Sequence, residues 1–122
     1  MRCLMIASLV LASVLWVVAG GTAASSKDNF NLKGEVYPTG FKIELKNAAN
    51  RKLTAVKAGS YRIKIEDEAT IHNFRLKGPG VNKATSVPRK SELIWTVQLK
   101  PGTYTFLCDP HASTMRGTFR VT

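Results

Sequence analysis

Residues 103–122 read TYTFLCDPHASTMRGTFRVT. Two runs within this stretch alternate with period two. Tyr104, Phe106 and Cys108 share one parity, and Phe119 and Val121 resume the pattern further on. Successive side chains of an extended chain point to opposite sides, so such alternation marks strands with one buried face. The stretch predicts two strands joined by a loop that carries a thiol, an imidazole and a thioether. The parity also turns the Cys108 sulfur inward at the end of its strand.

The same period runs upstream. In FKIELK, Phe41, Ile43 and Leu45 alternate with Lys42, Glu44 and Lys46; in YRIKIED, Tyr61, Ile63 and Ile65 alternate with Arg62, Lys64 and Glu66. IHNFRLK offers Phe74 and Leu76, and ELIWTVQLK offers Leu93, Trp95, Val97 and Leu99. Turn-forming residues separate the runs at Ala58-Gly59-Ser60, Gly78-Pro79-Gly80 and Lys100-Pro101-Gly102. No helical period is evident. Short strands at regular spacing predict an all-β antiparallel sandwich or barrel. The polar segment 81–91, which contains Pro88, reads as a long loop.

The chain has 122 residues, enough for one domain. Its start has one charge, Arg2, before Lys27; an apolar run from Leu4 to Ala19 follows, and then the small residues Gly20, Gly21, Thr22, Ala23 and Ala24. That order is the pattern of a secretory signal peptide over 1–24. An uncleaved anchor is the rival reading, since about 20 apolar residues can span a bilayer. Both place the rest outside the cytoplasm, periplasmic or extracellular. Residues 25–38 read as a segment leading into a domain at 39–122.

With 18 Lys+Arg against 8 Asp+Glu, the chain carries a formal +10. A positive surface favours acidic proteins, anionic lipids or nucleic acid. The charges are scattered along the sequence, which argues against a dedicated nucleic-acid stripe. Of two Cys and three Met, only Cys108 and Met115 lie beyond the leader, so no disulfide can form within the exported domain. A lone thiol in an oxidising compartment needs burial or a metal. The two His are His72 and His111. Two imidazoles and one thiolate in a plane, with a weak thioether, suit copper that cycles between Cu(I) and Cu(II). Pro110 lacks an N–H and stiffens the turn between Cys108 and His111.

Around His72 the text is IHNF, PGTYTFLCDPH runs into the loop, MRGTFRV follows it, and AGSYRIKIED precedes the first His. In these stretches the chain resembles the small cupredoxins of the plastocyanin, pseudoazurin and amicyanin group, over most of residues 39–122. The resemblance implies a Greek-key sandwich of about eight strands holding one type 1 copper ion. It assigns His72, Cys108 and His111 as strong equatorial ligands and Met115 as the weak axial one. It gives Asn73 the task of tying the two ligand segments together near the thiolate. The spacing departs from the pattern: three residues separate His111 from Met115, against two in amicyanins and four in plastocyanins and pseudoazurins.

The function so implied is one-electron transfer between redox partners, not enzymatic catalysis. Electrons would pass the exposed edge of His111, with Lys and Arg steering an acidic partner. A monomer that binds no nucleic acid, and meets the membrane only through a retained leader, completes the expectation. Other readings remain open. A copper carrier or sensor would use the same soft donors. A thiol hydrolase would pair Cys108 with a His base but leave Met115 without a role. Zinc would accept Cys and His but not a thioether. A metal-free adhesive sandwich would leave the donor set unexplained.

Overall fold

The computed structural model describes residues 29–122; the expectation of a signal peptide or anchor at 1–24 lies outside the described residues. Nine strands form two sheets, with no α-helix among the described residues. They are β1 (Leu32–Val36), β2 (Ile43–Asn47), β3 (Ala55–Val56), β4 (Gly59–Asp67), β5 (Arg75–Gly78), β6 (Val81–Ala84), β7 (Ser91–Leu99), β8 (Gly102–Leu107) and β9 (Arg116–Val121). One sheet has the order β2-β1-β4-β7 and the other β3-β9-β8-β5-β6. Eight strands of substance and the two-residue β3 make the expected Greek-key sandwich.

The periodicity read from the sequence is the burial pattern. Ile63 and Ile65 of β4, Leu76 of β5, Tyr104 and Phe106 of β8, and Phe119 and Val121 of β9 are all buried between the sheets. Phe74 stacks on Phe106 at 6.1 Å, and Tyr104 on Phe119 at 5.3 Å. Each buried aromatic ring removes on the order of 150–250 Å² from water, so these four rings dominate the core.

Four expectations are corrected. The segment 25–38 is not merely a way in: residues 32–36 form β1, a central strand paired with both β2 and β4. Its buried positions Leu32, Gly34 and Val36 include a glycine, which hides the alternation from a hydrophobicity count. The pairing is not wholly antiparallel, since β1 runs parallel to β4 and β3 parallel to β9. The segment 81–91 is loop only in its middle, because 81–84 add an edge strand to β5. Phe41 does not share the buried face of Ile43 and Leu45. The backbone turns at Gly40 (φ 74°), the turn is closed by the Tyr37 amide donating to the Lys42 carbonyl, and Phe41 stands 64% exposed before β2 begins.

Candidate metal centre

The end of β8 delivers Cys108 into the interior, where it is fully buried. A single 3-10 turn, Asp109–His111, follows, with Pro110 near its start. The His111 amide donates to the Cys108 carbonyl at 3.1 Å and the Met115 amide to the His111 carbonyl at 2.8 Å. The Cys108 amide then donates to the Met115 carbonyl at 3.0 Å, closing the loop on itself. Cys108 and Met115 are thus held side by side in backbone, and Met115 is fully buried. A three-residue gap after His111 is long enough for this closure.

His72 arrives from the other segment, just before β5, and is 1% exposed. β5 pairs with β8, Arg75 opposite Leu107, so the chain one turn before Arg75 meets the chain just after Leu107. The Nδ1 atoms of His72 and His111 lie 3.0 Å apart. Cys108 Sγ lies 3.7 Å from His72 Nδ1 and 3.6 Å from His111 Nδ1. Three donors each about 2.0–2.3 Å from a single ion span edges of this size. Thiolate and imidazole are the donors that select copper or zinc. The three side chains therefore fit one soft-to-borderline cation.

Asn73, next to His72, bridges the two segments. Its Oδ1 accepts from the Asp109 amide at 2.7 Å, and its Nδ2 donates to Asp109 Oδ2 at 2.7 Å and to the Thr85 carbonyl at 3.1 Å. These bonds lock the residue after the thiol to the residue after the first imidazole. Arg75 adds a two-pronged contact to Asp109, Nε to Oδ1 at 2.7 Å and Nη2 to Oδ2 at 2.9 Å. The Arg75 guanidinium holds the Asp109 carboxyl below the usual carboxylate range.

Four participants escaped the sequence reading besides Phe41's placement: Asp67, Arg75, Thr85 and Asp109. The Thr85 hydroxyl accepts from the Phe74 amide at 2.8 Å and donates to Asp67 Oδ2 at 2.5 Å. It thereby ties the ends of β4 and β6 to the His72 segment. Asp67 continues the inward parity of Ile63 and Ile65, so a carboxylate ends up 1% exposed. Burial pushes its carboxyl above the usual range, against the bonds from Thr85 and the Ala69 amide. Phe41 lays its ring edge-on to both imidazoles, 4.9 Å from His111 and 5.7 Å from His72. Only parity pointed to Asp67, and no local pattern pointed to Thr85.

The sequence pattern of the copper binding proteins, plastocyanin/azurin family, matches residues 17–122. The chain belongs to that family. This cupredoxin accordingly has copper as its metal, with His72, Cys108 and His111 placed as a possible metal site. Among solved structures it is similar to reduced rusticyanin, at 18% identity and a TM-score of 0.53 over 75% of this chain and 77% of that one. It is similar also to rusticyanin from Thiobacillus ferrooxidans, at 19% identity and 0.51 over 75% of each chain. A methionine-to-glutamine mutant of rusticyanin aligns at 19% and 0.54 over 75% and 76%. At these identities the likeness is one of fold. No curated protein sequence matches the chain.

Proposed function

We propose that this cupredoxin is an exported one-electron carrier. His72, Cys108 and His111 would hold the copper, and Met115 would supply a weaker thioether donor. The observation that carries the reading is the largely buried triangle of Sγ and two Nδ1 atoms, with edges of 3.0–3.7 Å, assembled from two segments that Asn73 cross-links. Copper, when bound, supplies a one-electron couple between Cu(I) and Cu(II).

The protein's part is rigidity and access. A network of hydrogen bonds through Asn73, Asp109, Thr85 and Asp67 keeps the donors in one arrangement, so a change of charge at the site demands little movement. Full burial of Cys108 and Met115 and near-full burial of His72 keep water from those donors. His111 is only half-buried and sits on the loop, so it offers the outward edge. Phe41 and Ile71, 64% and 60% exposed, form an apolar rim at this end. Docking there brings a redox partner's centre close to His111. Export is read from the signal-peptide pattern over 1–24, and the working form is read as a monomer.

Titration of purified protein with Cu(II) tests the reading. A blue or green colour from thiolate-to-copper charge transfer, with reversible redox cycling, is expected. Cys108→Ala should abolish the colour, and Met115→Leu should shift the potential while copper stays bound. A colourless Cu(II) complex, or an unchanged spectrum in Cys108→Ala, would sink the assignment. Tight Cu(I) retention followed by transfer of the ion to an apo acceptor, without reversible cycling, would mark a copper carrier instead.

A further inference from the structure

The two sheets carry charge in opposite ways. On the outer face of β2-β1-β4-β7, Lys33, Lys46 and Lys64 are interlaced with Glu35, Glu44 and Glu66 at 2.6–2.8 Å, and Glu92 joins Lys64 at 3.4 Å. That face consumes half of the chain's 8 acids. The strands of the other sheet contain no Asp or Glu at all; they contain Arg75, Lys77, Lys83, Arg116 and Arg120.

Register places these groups on one surface. Tyr104, Phe106 and Phe119 point inward, so Thr103, Thr105 and Leu107 of β8 point outward, as do Arg116, Thr118 and Arg120 of β9. One row across the sheet reads Lys77, Thr105, Thr118; the next reads Arg75, Leu107, Arg116; Thr103 stands opposite Arg120. Arg75 is committed to Asp109, which leaves Lys77, Arg116 and Arg120 as exposed cations among threonines. The row of Arg75, Leu107 and Arg116 borders the metal loop, since Leu107 precedes Cys108 and Arg116 follows Met115.

We propose that the outer face of the five-stranded sheet is a landing surface for an acidic protein. The proposal rests on the electron-carrier reading and names where its partner first docks. Asp109, paired with Arg75, is the one acid at the border of this face, and the cations left over, Lys77, Arg116 and Arg120, complement an acidic surface, which raises encounter rates. Apart from Leu107, the face is polar and hydroxyl-bearing. The exposed large apolar side chains of the described residues, Phe41, Ile71 and Val87, all lie off these strands. Nothing on the face would insert into a lipid surface, so a protein fits better than a membrane. A partner held here is already beside the loop that carries His111.

Copper-loaded, isotope-labelled protein titrated with poly-L-glutamate at low salt tests this by amide shifts. Saturable binding is expected, with shifts at Lys77, Thr103, Thr105, Thr118 and Arg120. The double charge reversal Lys77→Glu and Arg120→Glu should weaken it by about tenfold or more. Lys42→Gln, on the other sheet's network, should leave it unchanged. Absence of saturable binding, shifts centred on β1 and β2, or tighter binding to phosphatidylserine vesicles or duplex DNA than to poly-L-glutamate would each overturn the proposal. The two readings fail separately. A reversed-charge protein that keeps its copper colour and potential leaves the carrier reading standing, whereas a colourless wild type defeats that reading whatever poly-L-glutamate does.

Discussion

At the scale of single residues, the site depends on side chains that do opposite jobs. Asn73 is nearly buried and spends its amide on three hydrogen bonds that join the ligand segments. Phe41 is mostly exposed, yet its ring covers the edges of both imidazoles. These differences separate their phenotypes. Phe41→Ala removes little core, so folding and copper binding should survive. It also strips the apolar rim beside His111, so electron exchange with a protein partner should slow several-fold in stopped-flow measurements. Unchanged exchange would move the docking contact away from this rim.

At the scale of elements, β1 shows how packing selects a residue. A Cβ on Gly34 would lie 2.7 Å from Phe74 Cζ and 2.9 Å from Ile65 Cδ1, with both side chains fully buried. Phe74 follows Asn73 in the chain, so crowding here presses on the metal segment as well as on the core. Gly34→Ala should cost about 1–3 kcal/mol in denaturant unfolding, the usual range for overpacking. The neighbouring β-ladder faces a different problem. Register sets Lys33 opposite both Lys46 and Lys64, and Glu35 opposite both Glu44 and Glu66. Like charges face each other across strands, and diagonal ion pairs offset the repulsion. Lys46 beside Glu44 is the main cause that lowers the Glu44 carboxyl from 4.5 to about 2. Its folded value lies below its unfolded one, so its stabilising contribution is complete above pH 4.5 and is lost as pH falls toward 2. Thermal unfolding should therefore show a midpoint that declines below about pH 4.5, and Glu44→Gln should flatten part of that decline.

At the scale of the whole molecule, the proposed copper centre would be a cross-link between distant segments. His72 enters from the chain before β5, while Cys108, His111 and Met115 follow β8. An ion held by the donors of both segments, as proposed, would bind the folded state in preference to the unfolded one, so copper should raise the unfolding midpoint. At a free concentration about 100 times the dissociation constant, the gain is about 2.7 kcal/mol. Calorimetry of apo and loaded protein measures it, and Cys108→Ala should remove most of the difference. The charge division between the sheets belongs to this scale too, since no single strand reveals it.

Much of this was legible in the chain itself. Period-two runs placed the inward residues of β4, β8 and β9, and the turn residues placed the ends between them. The short stock of thiol, thioether and imidazole groups beyond residue 24 nominated His72, Cys108, His111 and Met115, of which the fold brings the donor atoms of the first three together. Local pattern carries such information because strand parity and ligand chemistry are properties of neighbours in sequence. Only the tertiary structure decided the rest. Gly34 broke the pattern of β1, and Gly40 turned Phe41 out of phase and over the imidazoles. Thr85 met Asp67 across two strands, and charges scattered along the chain were sorted onto two unlike faces. Those outcomes depend on which strands pair and in what register. That choice is made by burying Leu32, Val36, Phe74, Phe106 and Phe119 together, across separations that no local run of sequence spans.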